Sequence, residues 1–310
     1  MRVLVTGAAG FLGSNFALRL LEGGHAVAGL DDLSTGTRRN LDELARRENF
    51  LALEQDVLAP LPASARFDWI VHFACAASPA KYFERPIETM RAMSEGTHAL
   101  LERARRDGAV FLLASSSEVY GDPEVHPQRE DYWGHVNPIG PRAVYDEAKR
   151  FAEALTLAHA RKHHTQVRVA RFFNTYGPRM AADDGRVITQ FIAQALRGRP
   201  LTIHGDGLQS RAFQYVDDLL VALPRLMASG YAEPVNLGNP DEVTVLQLAE
   251  LVSSLVGRPL ELEHEAARRD DPQRRRPDIA LARRLLDWSP EVALRDGLAR
   301  TIQYFRESGL

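Results

Sequence analysis

Gly7-Ala8-Ala9-Gly10-Phe11-Leu12-Gly13 stands directly behind an apolar run, Val3 to Val5, and directly ahead of a helical pattern carrying Phe16, Leu18, Leu20 and Leu21. Glycines so placed permit a tight strand-to-helix turn, let backbone approach a pyrophosphate, and allow the helix to pack closely on the sheet. The first N–H groups of that helix then face the anion. The spacing is G-x-x-G-x-x-G rather than G-x-G-x-x-G, so position in the chain carries the assignment as much as the pattern does.

A strand that feeds such a helix needs parallel neighbours. Further short apolar runs follow at Ala26 to Leu30, Phe50 to Leu53, Trp69 to Ala74, Val110 to Ala114 and Val167 to Phe172, alternating with helical patterns. This predicts a Rossmann-type doubly wound parallel sheet with helices on both faces, since nearly continuous apolar strands are those covered on both sides. Beyond Arg171 the rhythm loosens into Gly- and Pro-bearing loops, with helices expected at Val187 to Leu196, Val245 to Val256 and Leu294 to Phe305. The reading is an NAD-binding domain over 1–172 and a smaller substrate-binding domain over 173–310. The exchange falls at Asn174 to Arg179, and a segment of about 212–238 returns to the first domain.

Composition limits the partners. A net charge of -3 and a pI near 6.4 give no global basic field, which argues against nucleic acid or an anionic membrane surface. No apolar run reaches the length of a membrane helix, and Met1-Arg2-Val3-Leu4-Val5 enters a strand at once, without the pattern of a leader. The single cysteine, Cys75, excludes an internal disulfide and fits a reducing, cytoplasmic compartment. No metal-ligand set is assigned. Lys81, Lys149 and Lys162 are three of the 38 basic residues, leaving 35 arginines, so an arginine run carries little weight and a well-placed lysine carries more.

Asp31 ends the second strand, at the distance past the glycines where an acid holds the ribose hydroxyls of a dinucleotide. Its charge would repel a 2'-phosphate and favours NAD over NADP, with Arg38 and Arg39 nearby as the contrary signal. Asp32 competes for the role, and either acid is also a natural loop cap. Asp56 and Val57 after the third strand, and Ala74 closing the fourth run, complete the expected cofactor set with Gly7, Gly10, Phe11, Leu12 and Gly13.

Tyr145 and Lys149 stand four residues apart and share one face of the helix through Phe151, Ala152 and Leu155. A phenol is a poor base until positive charge favours its anion, and Lys149 with a nicotinamide ring would supply that charge. Ser115-Ser116-Ser117-Glu118 follows the fifth strand, where ligands of doubly wound sheets lie. Its hydroxyls can hold a sugar hydroxyl or a developing enolate oxygen, and Glu118 is a candidate for chemistry beside them. The bland alternatives are a surface Tyr/Lys pair and a serine-rich turn.

Together the glycine loop, the Ser/Glu strand end and Tyr145/Lys149 resemble the extended short-chain dehydrogenase/reductases, and more closely the UDP-glucuronate decarboxylases, also called UDP-xylose synthases. The resemblance runs nearly end to end and is most specific between Ala114 and Lys149. It continues at Asn174 to Arg179, Asp184 to Val187, Arg211 to Asp218, Asn236 to Pro240 and Asp270 to Asp278. It implies Tyr145 as base toward the sugar C4 hydroxyl, Lys149 as its electrostatic partner, Ser116 at O4, and Glu118 with Arg275 in carboxylate loss and reprotonation. It further implies Tyr82, read as a loop tyrosine, facing the sugar carboxylate, and Asn174, Arg186 and Arg211 at the nucleotide diphosphate, where arginine's fork suits phosphate oxygens. Bound NAD, a UDP-sugar substrate with a dTDP-sugar as the alternative, and a homodimer are implied in the same way.

Two positions depart from the family pattern. Met93 stands where an asparagine is usual on the helix behind the site, which puts the ordering of backbone or water there, and the final reduction, in question. Cys75-Ala76 replaces Ser-Pro. The implied activity is decarboxylation of UDP-glucuronate through a 4-keto intermediate to UDP-xylose, UDP-4-keto-pentose or both. A 4-epimerase does not need Glu118, and a 4,6-dehydratase would want an Asp where Ser117 stands. A nucleotide-sensing protein without chemistry would not need Tyr145 and Lys149.

Overall fold

The computed structural model describes residues 1–267 and 272–309. Asp270 and Asp271, part of the resemblance, lie outside them. The chain begins β1 (Arg2–Thr6), α1 (Phe11–Glu22), β2 (Ala26–Asp31), α2 (Arg38–Ala45), β3 (Phe50–Glu54) and β4 (Trp69–His72). Two short helices, α3 (Pro79–Glu84) and α4 (Pro86–Arg91), lead through a wide turn at Ala92–Gly96 into α5 (Thr97–Asp107). Then come β5 (Val110–Ser116), a tight helical turn at Ser117–Tyr120, α6 (Ala143–His163) and β6 (Val167–Phe172).

The remainder runs β7 (Thr175–Tyr176), α7 (Val187–Leu196), β8 (Leu201–His204), β9 (Ser210–Ala212), β10 (Gln214–Tyr215), α8 (Val216–Ala228) and β11 (Pro234–Leu237). It closes with β12 (Glu242–Thr244), α9 (Val245–Val256), β13 (Leu262–Glu265), β14 (Arg274–Arg275), α10 (Ala280–Leu286) and α11 (Leu294–Glu307).

Seven strands form one sheet in the order β11-β6-β5-β4-β1-β2-β3, and every pairing in it is parallel. The chain leaves β1 toward β2 and β3, then crosses to β4 on the other side of β1. A crevice therefore opens beyond the carboxyl ends of β1 and β4, where such sheets bind ligands. The apolar core divides between the two sheet faces. On one, Phe16 and Leu20 of α1 pack with Leu219 and Leu223 of α8 and Ile302 of α11; on the other, Leu100 and Leu101 of α5 pack with Ala148 and Ala152 of α6.

Several boundaries differ from expectation. The fourth strand stops at His72, before Phe73 and Ala74. The fifth continues through Ser115 and Ser116, because these pair in register with Arg171 and Phe172 of β6 and so join the ladder despite their polarity. The segment of about 212–238 holds α8, which leads into β11 at the edge of the main sheet. Small sheets made by β9 with β12 and β14, and by β8 with β13, carry part of the later chain over the crevice.

Candidate active site

One cleft of about 600 Å³ lies at the crevice, and the sequence-selected residues from Gly7 to Arg275 all border it. At its floor, Gly7 has φ +71°, and a Cβ there would stand 2.9 Å from the Ala74 nitrogen. A Cβ on Gly13 would lie 2.0 Å from the Gly7 carbonyl oxygen, so only glycine lets α1 enter at this angle. Gly10 is the N-cap of α1 and no side chain caps that helix, which leaves its positive end turned to the cleft. These features fit the diphosphate of a dinucleotide.

Asp31 both borders the cleft and holds its floor. Its Oδ2 accepts from Ala9 N at 2.9 Å and its Oδ1 from Leu33 N at 2.8 Å. Burial raises its pKa against the pull of those N–H groups. Asp32 is exposed and caps Ser34 N at 2.9 Å. Arg38 is turned away onto Glu54, with Nη2 to Oε2 at 2.7 Å, and Arg39 lies over the Tyr304 ring, 5.5 Å from its centroid. Neither arginine borders the cleft, so a 2'-phosphate beside Asp31 would find no cation from this pair. Asp56, Val57 and Ala74 also border the cleft, and Val57 touches the wide turn at Gly96.

Above the floor, α6 presents Tyr145 and Lys149, both buried. The Lys149 ammonium donates to the Ala114 carbonyl at 2.7 Å and lies 5.4 Å from the Tyr145 ring centroid. Burial first, then Cys75, pushes the Tyr145 phenol well above its ordinary pKa, while a hydrogen bond with Ser116 opposes the rise. The expected lowering by Lys149 is thus not what dominates in the chain by itself, since desolvation of the phenol outweighs it. Burial also lowers the pKa of Lys149, which shares a hydrogen bond with the Cys75 thiol. Tyr82 does not lie in a loop: it sits on α3, where Pro79 starts a helical turn, and its ring stacks on Tyr145 with centroids 5.3 Å apart.

Ser116 Oγ accepts from Glu118 N at 3.2 Å, which turns the Glu118 carboxylate toward two guanidinium groups. Arg275 Nη1 donates to Oε1, and Arg142 Nη2 stands 2.8 Å from Oε2. Burial raises the pKa of Glu118, yet Arg275 and then Arg142 hold it down at about 2. Arg275 also donates to the Gly121 carbonyl at 3.1 Å and is almost fully buried, anchored on β14 beside β9. Next to this cluster, Asp146 is pushed up to about 8, first by burial and then by the charge of Glu118.

Sequence reasoning missed Arg142 and Asp146. Both are in the stretch of strongest resemblance, but one arginine among 35 attracts no attention, and an acid between Tyr145 and Lys149 reads as a helix spacer.

Arg186 is the N-cap of α7, holds Asp184 with Nη2 to Oδ2 at 2.8 Å, and lies over the Phe11 ring of the glycine loop. Asn174 and Arg211 border the cleft as well, Arg211 donating to the Ser210 carbonyl at 2.8 Å. Met93 points into the core, fully buried, and does not border the cleft. The adjoining Ala92 carbonyl is instead met by His72 Nε2 at 3.2 Å, while His72 Nδ1 lies 2.8 Å from Thr6 Oγ1. Burial first, then Lys149, lowers His72 to about 3, so it is a neutral bridge from β4 to the wide turn.

The model of the NAD dependent epimerase/dehydratase family matches residues 3–238. A curated relative, UDP-glucuronic acid decarboxylase 1 of Danio rerio, is 52% identical over 304 residues, covering 98% of this chain and 72% of its own. Among solved structures, the UDP-glucose 4-epimerase of Thermotoga maritima with UDP-glucose superposes with a TM-score of 0.92 at 32% identity, over 99% of both chains. The UDP-glucuronic acid 4-epimerase of Bacillus cereus, solved with UDP-glucuronic acid and NAD, gives 0.87 at 26% identity, over 99% of this chain and all of its own.

Proposed function

The chain belongs to the NAD-dependent epimerase/dehydratase family, and from that membership we propose that it decarboxylates UDP-glucuronate to UDP-xylose, UDP-4-keto-pentose or both, on tightly held NAD. One observation carries the choice among the family's reactions: Glu118 and Arg275, separated by 157 positions, meet in the cleft that holds Tyr145 and Lys149. The name of the Danio rerio relative supports the same choice.

When bound, NAD would supply positive charge and a hydride acceptor for the sugar C4. Gly7, Gly10, Phe11, Leu12 and Gly13 hold its diphosphate, Asp31 its ribose, and Asp56, Val57 and Ala74 its flanks. Tyr145 accepts the C4 hydroxyl proton, Ser116 hydrogen-bonds O4, and Lys149 fixes the phenol electrostatically. A carbonyl at C4 makes the C6 carboxylate a β-keto acid, so carbon dioxide leaves as electrons move onto O4, where Tyr145 and Ser116 donate to the enolate. Glu118, held ionised, orients a water that gives its proton to C5; the hydroxide left behind is neutralised by a proton from bulk solvent, the one proton that decarboxylation consumes, and Arg275 orients the carboxylate. Tyr82 faces that carboxylate, and Asn174, Arg186 and Arg211 take the nucleotide diphosphate.

The division into residues 1–172 for the cofactor and 173–310 for the nucleotide sugar, with about 212–238 returning to the first, is part of the same proposal. So is a homodimer, supported by exposed Phe83, Ile87, Met90 and Phe151 on the mutually packed α3, α4 and α6. No helix among the described residues is long and apolar enough to cross a membrane. A cytoplasmic site is proposed from the lone Cys75. Mass spectrometry of the products from UDP-glucuronate and dTDP-glucuronate, side by side, tests the function. A pentose nucleotide from the uridine substrate is expected; a uronate epimer with all its carbons would overturn the reading.

A further inference from the structure

Far from the cleft, two neighbouring helices bring metal-ligating side chains together. His159 and His163 lie one turn apart on α6, and Glu102 reaches them from α5, with one ligand atom of each within 4.8 Å of the others. His98, one turn before Glu102, packs against His159 with ring centroids 5.5 Å apart. We infer that Glu102, His159 and His163 form a binding site for a divalent transition-metal cation of the zinc type, with His98 beside them as a further donor.

The buried imidazole of His159 is the independent reason. It is 5% exposed, its Nδ1 is shut away from solvent with no partner among the described residues, and its Nε2 stands 3.6 Å from Glu102 Oε1. That separation is too long for a useful hydrogen bond. A buried polar ring left in this state costs free energy unless something satisfies it. A cation held on Nε2, the nitrogen that faces Glu102, would fill that nitrogen's lone pair, and the chemistry around the ring suits one.

Arg105 engages Glu102 Oε2 at 2.8 Å, which fixes the carboxylate and leaves Oε1 facing His159. Such an outer partner is the usual support of a ligating side chain. Two imidazoles and one carboxylate suit zinc and its neighbours rather than magnesium or calcium, which demand more oxygen. Ligand atoms around tetrahedral zinc stand roughly 3.4 Å apart, a contraction that rotation of the exposed His163 side chain supplies. From Lys149 to His159 the axis of α6 rises roughly 15 Å, so the ion would clamp α6 to α5 and take no part in the sugar chemistry.

The test uses the full chain without a histidine tag, stripped with a chelator and titrated with zinc by calorimetry and with cobalt(II) by visible absorption. His163→Ala and Glu102→Gln serve as variants, both at positions that leave the apolar core intact. The expected result is one zinc per wild-type chain, ligand-field bands with cobalt, and a melting temperature that rises with zinc. Each variant should bind at least about tenfold more weakly, since losing a ligand costs no less than losing an outer partner. Wild-type protein that binds no stoichiometric zinc, or variants that bind it as tightly as wild type, would overturn the inference.

Discussion

Between Arg275 and Arg142, Glu118 is an acceptor and not an acid, and this fixes what its replacement should do. Glu118→Gln leaves two buried guanidinium groups without a counter-charge, so stability should fall by about 3 kcal/mol. Carbon dioxide release should fall by on the order of a hundredfold while NAD stays bound. Urea denaturation and a release assay measure the two effects, and a variant near wild type in both would remove Glu118 from the account. The stability that this carboxylate contributes is present above the ordinary glutamate value near 4.5 and is lost as pH falls through about 2. Asp146 has the opposite sign. Its pKa is raised to about 8, so its contribution is complete below the ordinary aspartate value near 3.8 and is lost as pH rises through about 8. Asp146→Asn should therefore flatten the decline in melting temperature between about pH 4 and pH 8, and an unchanged decline would contradict the assignment. Tyr145, Lys149 and Ser116 were legible because their spacing is local. Arg275 was reachable only through resemblance, since no periodicity links residues 157 positions apart.

At the scale of elements, period and punctuation served well where a segment is long and apolar. The helices at Val187–Leu196 and Val245–Val256 coincide with the expected ranges, the latter closed by a Thr244/Gln247 capping box and by Gly257 in the left-handed region. Short polar elements were opaque. The helices α3 and α4 have six residues each, too few to display a 3.6-residue period, and are set off by Pro79 and Pro86. Ser115 and Ser116 read as loop, yet the ladder to β6 draws them into the sheet and so aims Ser116 at the cleft. The junction of β1 and α1 makes its own prediction. Gly13→Ala puts a methyl 2.0 Å from the Gly7 carbonyl oxygen, which only a shift of the loop or helix can relieve. The variant should melt at lower temperature and lose NAD by calorimetry; full retention of both would show that the turn does not depend on that close approach.

Over the whole molecule, the order of strands is what turns separate motifs into one site. Crossing from β3 back past β1 to β4 opens the crevice, and the return of β14 beside β9 delivers Arg275 to Glu118 from the end of the chain. The doubly wound class was legible from alternation alone, whereas the small sheets over the crevice were not, because strands of two to four residues leave no pattern to count. Removal of the C6 carboxylate through a 4-keto intermediate, followed by protonation of C5, is the chemistry proposed for this cleft. Turnover of UDP-glucuronate in heavy water, with Tyr145→Phe alongside, measures it most directly. The wild-type chain should give a pentose nucleotide carrying solvent deuterium at C5, and the variant a turnover lower by on the order of a hundredfold; a pentose without deuterium, or a six-carbon uronate as the product, would overturn the proposed chemistry.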